Sequence, residues 1–225
     1  MKNQTSQSIE DYLKAIYELS IKDGRVATTH LAKHLGISPA SVTGMIKKLS
    51  QMEPPYLNYQ KHQGVFLTEA GERIALETLR HHRLLEVFLH EILGFPWDEV
   101  HEEADKLEHV ISEKFEERMA FVLGNPEHDP HGDPIPNKEL SVPKATMICL
   151  SDLRPHQKAI IKRVRDKDPK LLRFLSDLGL IPNAEIEIND YSEFDGNIHL
   201  AVKNSSKNVV LGPRITDQIH VSILN

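Results

Sequence analysis

Two imidazoles and two carboxylates, His101, Asp105, Glu108 and His109, fall within nine residues of the stretch VHEEADKLEHVISEKFEE. On an α-helix, offsets of zero, four, seven and eight share one face. Such a face is either solvated acidic surface or one side of a cation site. The preceding segment carries His82 and Glu86, four residues apart and so also on one side of a helix. Pairing of the two helices would bring His82, Glu86 and His101 around one ion. Asp105, Glu108 and His109 lie one to two turns further on and need a fourth group to hold another. Four helical residues advance about 6 Å, so two neighbouring but separate sites are expected. Clusters of this kind also build two-metal hydrolases, but the chain has no obvious nucleophile or open catalytic motif, and no enzyme is expected.

The elements that must position these groups are helices. Ile9, Leu13, Ile16 and Tyr17 form a stripe over 9–21 that ends at Lys22-Asp23-Gly24. Thr28 or Thr29 can cap a short helix that stops at Gly36. Ser38 is a good N-cap with Pro39 at the first helical position, and Val42, Met45, Ile46 and Leu49 give the buried stripe. YLNYQKHQGVFL reads as two strands with a turn at Lys61 to Gly64. Thr68 opens a long helix ending near Gly94, and another is expected from Trp97 to Leu123. Residues 124–140 are rich in Pro and Gly, and 141–157 read as a linker. Beyond it, AIIKRV, AEIEI, NIHLAVK, NVVLG and QIHVSIL are short strands, with DPKLLRFLSDLG as a single helix.

The expected fold class is therefore multidomain α+β. A winged helix-turn-helix occupies 1–71, a helical metal-binding and dimerisation domain 72–140, and a small SH3-like β-barrel 158–225.

Charge divides along the same lines. Residues 24–67 hold Arg25, Lys33, Lys47, Lys48 and Lys61 against the single acid Glu53, whereas 98–117 hold nine acids against two lysines. A basic block suits an anionic partner and an acidic block suits a cation. The one cysteine, Cys149, excludes an intrachain disulfide and a Cys-paired zinc ribbon. No apolar run is long enough to span a membrane, and no apolar signal core precedes the first helix, so the expectation is a cytoplasmic protein with no membrane partner.

Helix, turn, helix and wing describe a reader of double-stranded DNA. Thr28, Ser38, Pro39, Ala40, Ser41 and Thr43 are the expected groove contacts. Lys47 and Lys48 suit phosphate, and Lys61 at the wing tip suits the flanking backbone. No Arg, Asn or Gln lies in the first two turns of the second helix, so few bidentate base contacts are possible. Shape and deformability of the DNA should then carry much of the specificity. Changing central base pairs that the protein does not touch should alter affinity in a gel-shift titration, and indifference to them would remove this expectation.

SIEDYLKAIYEL, the helix start SPASVT, HHRLLEVFLHEILG, VHEEADKLEHVIS and GDPIP together resemble the diphtheria toxin repressor family of metal-dependent regulators. The resemblance spans nearly the whole chain, including the SH3-like domain of longer members. It implies a homodimeric repressor with a primary ion site at Asp11, Asp105, Glu108 and His109. The implied ancillary site is His82, Glu86 and His101, to which the SH3-like domain adds Asp168. A second contributor from that domain falls near Leu171, which cannot coordinate. Iron-type members place Met and Cys where this chain has Asp11 and Asp105. Oxygen ligands in their place are harder and imply Mn2+, with Fe2+ as the alternative and two ions per subunit. Short manganese regulators carry Glu where this chain has Lys14, so their closely spaced ion pair is not expected here. A metal-independent winged-helix regulator sensing an organic ligand is the remaining alternative.

Overall fold

A computed structural model describes residues 6–60, 63–143, 147–165, 168–205 and 207–224, apart from the side chains of residues 22 and 23. The chain forms two compact units. The first comprises Met1–His82, Leu107–Glu113 and Pro136–Ser141, and the second comprises Arg83–Lys106, Lys114–Ile135 and Val142–Asn225.

In the first unit, helix α1 (Gln7–Asp23) ends at Gly24, which takes the left-handed conformation and caps Ser20. α2 (Thr28–Leu35) follows. Its N-cap is Ala27, with no side-chain bond, so Thr28 lies inside the helix and neither expected threonine caps it. α3 (Pro39–Ser50) starts as expected, with the Ser38 hydroxyl accepting from the Ser41 amide. The wing is an antiparallel pair, β1 (Leu57–Gln60) and β2 (Gly64–Leu67), and Val26 adds a bridge to Val65. Gly64 has a positive φ of 96°, and a Cβ there would lie 2.5 Å from the Val26 carbonyl. Only glycine lets the wing approach this closely. Leu13, Ile16, Leu31, Leu49 and Leu57 are almost wholly buried, each worth about 1.5–3 kcal/mol. They fix the angle between α2 and α3.

Helix α4 (Glu69–Val87) runs into a single π-turn, Phe88–Ile92, closed by Gly94 with a positive φ. The expected helix from Trp97 to Leu123 is two helices. α5 (Val100–Leu107) stops one residue before Glu108, and α6 (Glu113–Val122) starts five residues later than that acid. The Val110 amide bonds the Leu107 carbonyl across the intervening turn. Ser112 with Glu113 and Glu116 is a helix-start signal that the continuous apolar spacing hid.

In the second unit, six strands form an antiparallel sheet in the order β3-β8-β4-β5-β6-β7. They are β3 (Ile148–Cys149), β4 (Lys158–Val164), β5 (Glu185–Tyr191), β6 (Ile198–Val202), β7 (Asn208–Leu211) and β8 (Ile219–Leu224). α7 (Pro169–Asp177) links β4 to β5, and a short α8 (Pro213–Thr216) precedes β8. Bulges in β4 and β5 bend the sheet. Residues 141–157 are not all linker: β3 pairs with β8, and Leu150 and Leu153 are fully buried in the sheet's core. Two strand residues and a single 3-10 turn are too short to register as a periodic pattern.

Candidate metal centre and DNA-reading face

In the first unit, the turn after α5 carries two of the expected ligands against α1. The Glu108 carboxylate is buried and takes two hydrogen bonds from the Lys14 ammonium, at 2.8 and 2.7 Å. The His82 Nδ1 lies 2.6 Å from its second oxygen. His109 Nε2 lies 2.8 Å from Asp11 and 3.2 Å from Glu108, and its Nδ1 lies 2.6 Å from Glu10. Asp11, Glu108 and His109 each present a ligand atom within 4.8 Å of the others. Two carboxylates and one imidazole suit a hard divalent ion.

Burial alone would lower the His109 pKa, but hydrogen bonds to Asp11 and Glu10, with the nearby charge of Glu108, raise it to about 9. Near neutral pH the ring is therefore charged. A metal-bound ring must be neutral, so an ion held here would take the place of the Nε2 proton, and the Nδ1–H would remain donated to Glu10. A carboxylate behind a ligating histidine fixes its tautomer. Sequence reasoning missed Glu10, although its place beside Asp11 puts it on the same end of α1.

The second unit holds another group. Glu86 is fully buried, with one oxygen 3.1 Å from His101 Nδ1 and the other 3.8 Å from His131 Nδ1. Glu86, Asp129 and His131 converge within 4.8 Å. His131 is completely buried, its ring stacked on Trp97 at 5.6 Å. The Trp97 carbonyl accepts from His131 Nε2 at 2.7 Å, so in the neutral ring the Nδ1 lone pair is on the side of Glu86. Burial first, then the charges of Glu86 and Asp133, push the Asp129 pKa well above the usual carboxylate range. A cation among these carboxylates would offset that repulsion. Asp129 and His131 went unseen because they lie in an irregular loop, where no periodicity marks a shared face. The spacing of Asp129 and His131, two residues apart in HDPH, was the available signal.

Asp105 is in the second unit, half exposed, 3.8 Å from His101. His82 meets Glu108. Asp168 caps α7, accepting from the amides of Lys170 and Leu171. It belongs to none of the converging groups among the described residues.

Most of the residues expected to contact DNA lie on α3 or at its N-cap. Ser38, Pro39, Ala40, Ser41, Thr43, Lys47 and Lys48 are all exposed, and Thr28 is half-buried. Three hydroxyls are already engaged: those of Ser38 and Ser41 bond each other, and that of Thr43 donates to the Pro39 carbonyl. The methyls of Ala40 and Thr43 remain for thymine contact. Lys61 lies outside the described residues. Arg25, at the base of the wing, donates to Gln63 at 2.5 Å.

Three family patterns match the chain in order. The N-terminal DNA binding domain of the iron dependent repressors matches residues 4–65. Their metal binding and dimerisation domain matches 68–137, and the FeoA domain matches 148–223. The iron-dependent repressor IdeR of Mycobacterium bovis is 30% identical over 198 residues, covering 83% of this chain and 85% of that protein. The chain belongs to the diphtheria toxin repressor family. Its members here are metal-dependent transcriptional repressors, not enzymes. The HTH-type transcriptional regulator MntR of Bacillus subtilis is 34% identical over 125 residues, covering 56% of this chain and 86% of that protein. A solved structure described as a manganese-dependent transcriptional repressor in complex with manganese superposes with a TM-score of 0.88. It is 36% identical, with 96% of this chain and all of that chain covered. No helix among the described residues is long and apolar enough to cross a membrane.

Two outcomes follow from the buried charges. Lys14→Met should destabilise the metal-free protein by about 3–5 kcal/mol in urea unfolding, because Glu108 loses its counter-charge; an unchanged midpoint would show that the pair is not structural. His109 has a folded pKa above its unfolded value of 6.5. Its stabilisation is complete below pH 6.5 and lost as pH rises through about 9. The melting temperature of the metal-free protein should fall over that window, and His109→Gln should flatten the fall.

Proposed function

We propose that this repressor is Mn2+-responsive and holds two ions per subunit. The first would sit on Asp11, Glu108 and His109, with His82 beside Glu108. The second would sit on Glu86, Asp129 and His131, with His101 at its edge. This keeps Glu86 and His101 from the ancillary set expected from sequence and replaces Asp168 with loop ligands. The observation that carries the reading is the convergence of Asp11 on α1 with Glu108 and His109, in the same unit as the DNA-reading helix α3. No sulfur is among these residues, which favours Mn2+. The likeness to the iron-dependent IdeR proteins favours Fe2+ instead, and that is the second reading.

A bound ion would supply the positive charge that the carboxylates otherwise draw from Lys14 and the His109 proton. Asp11 then ties α1 to the turn at 108–109 through coordination rather than through a proton. α1 packs in the same core as α2 and α3, so its position governs where the recognition helix points. The homodimer places two such helices on successive major-groove faces, and fixing each one shifts the population toward the DNA-competent arrangement. Phe115, Phe121 and Val122 on α6, with Ile92 and Leu93, are exposed apolar side chains of the second unit, and they suit the subunit contact.

The test is fluorescence anisotropy under anaerobic conditions with a duplex selected from a random pool in the presence of Mn2+. Mn2+ should raise affinity by roughly 5- to 150-fold, and more than Zn2+ does at equal free concentration. Glu108→Ala and His109→Ala should abolish the rise while keeping the fold by circular dichroism. An unaltered metal response in both variants would refute the assignment, and a response to Fe2+ alone would select the second reading.

A further inference from the structure

The ligands Asp129 and His131 stand on a loop without helix or strand, so something other than regular structure must hold them. Part of the answer is internal. One Asp129 oxygen accepts from the amides of both His131 and Asp133, at 2.9 Å each, and the Asp129 amide bonds the Asp133 carbonyl. The rest comes from β4. The Val164 amide donates to the His131 carbonyl at 2.8 Å. Arg163 grips Asp133 with both arms of its guanidinium, Nε at 2.9 Å and Nη2 at 2.8 Å. A fork of this geometry fixes orientation as well as distance. Gly132 lies flush against the same strand: a Cβ there would meet the Lys162 carbonyl at 1.9 Å. On its other side Asp133 meets Arg83 of α4, whose Nη1 also donates to the Pro134 carbonyl.

The position of Arg163 is a designed feature of the strand. Burial along β4 alternates at Ala159 and Ile161, then resumes at Val164 rather than at residue 163. The pairing register with β8 shifts between Ile161 and Arg163. A bulge at this point turns Arg163 outward from the sheet's core, toward Asp133.

We propose that Arg163 is a positioning residue for the second ion. It acts through Asp133 on the loop that carries Asp129 and His131, so the C-terminal sheet sets the affinity of a site whose converging groups, among the described residues, lie outside it. This rests on the reading of Glu86, Asp129 and His131 as the second ion site. Removing the fork leaves the three ligands in place but frees the loop to sample other arrangements. Affinity then falls by the fraction of time the loop is competent. The Asp11–Glu108–His109 group does not use this loop, so its affinity stays as it is.

The chain contains its own reporter. Trp97 is the single tryptophan, and its ring stacks on His131. Mn2+ titrations of the full-length, DNA-free protein should show two binding events by calorimetry, one of which changes Trp97 fluorescence. Arg163→Gln should weaken the fluorescence-linked event by about 10- to 100-fold and leave the other event unaltered. Arg163→Lys, which keeps charge but not the fork, should fall between Gln and the parent. Equal affinity of both events in parent and Arg163→Gln would overturn the proposal. So would equal weakening of both events, or loss of metal-free stability in Arg163→Lys with no change in the fluorescence-linked affinity, since either marks a purely structural role. A fluorescence-linked event that survives His131→Ala would instead remove the second-site reading itself, and the proposal with it.

Discussion

A carboxylate that is removed from water and still charged must be held by other charges, and Glu108 is the point where this constraint acts. Its side chain is 1% exposed. A buried ionised carboxylate without partners is prohibitively costly. Lys14 from α1 and His82 from α4 meet it, and His109 beside it ties to Asp11 and Glu10. The reading head, the long helix and the turn after α5 therefore share one electrostatic knot. Anything that changes the charge in that knot changes the terms on which α1 is held, and α1 shares a core with the recognition helix.

On the proposed reading the knot would have two ways to be satisfied, which is what a sensor needs. One uses an ammonium and a proton, and the other would use a divalent ion held by the same oxygens. Because His109 keeps its proton up to about pH 9, such an ion would have to compete with that proton under ordinary conditions. A difference of a few kcal/mol between such states is enough to move a population. The second unit repeats the theme with other parts: Glu86 is divided between His101 and His131, and Asp129 is held against neighbouring carboxylates by the loop's own amides.

Much of this was legible in the residues. The helix-turn-helix could be read from Gly24, Gly36, Ser38 and Pro39, because caps and stops are local chemistry. The sheet could be read from five alternating runs. Glu108 and His109 were legible as candidate ligands but not in their placement: the apolar spacing continues through 107–113, so the break that turns them toward α1 was hidden. His131 and Asp129 were hidden for a different reason. Their burial comes from β4 and α4 closing over an irregular loop, a long-range packing event that leaves no period in the sequence. Lys14 was noticed only as a departure from a family pattern, while its role as the counter-charge of Glu108 needed three-dimensional contact. Asp168 could equally have been a ligand or a cap from sequence, and Pro169 at the first helical position explains why it caps.

The most direct measurement is anomalous diffraction at the manganese edge from crystals of the protein grown with Mn2+. The account predicts a strong peak bounded by Asp11, Glu108 and His109, with the Lys14 ammonium displaced from Glu108. A fully loaded crystal in which Lys14 still bridges Glu108 and no peak lies against that carboxylate would contradict it.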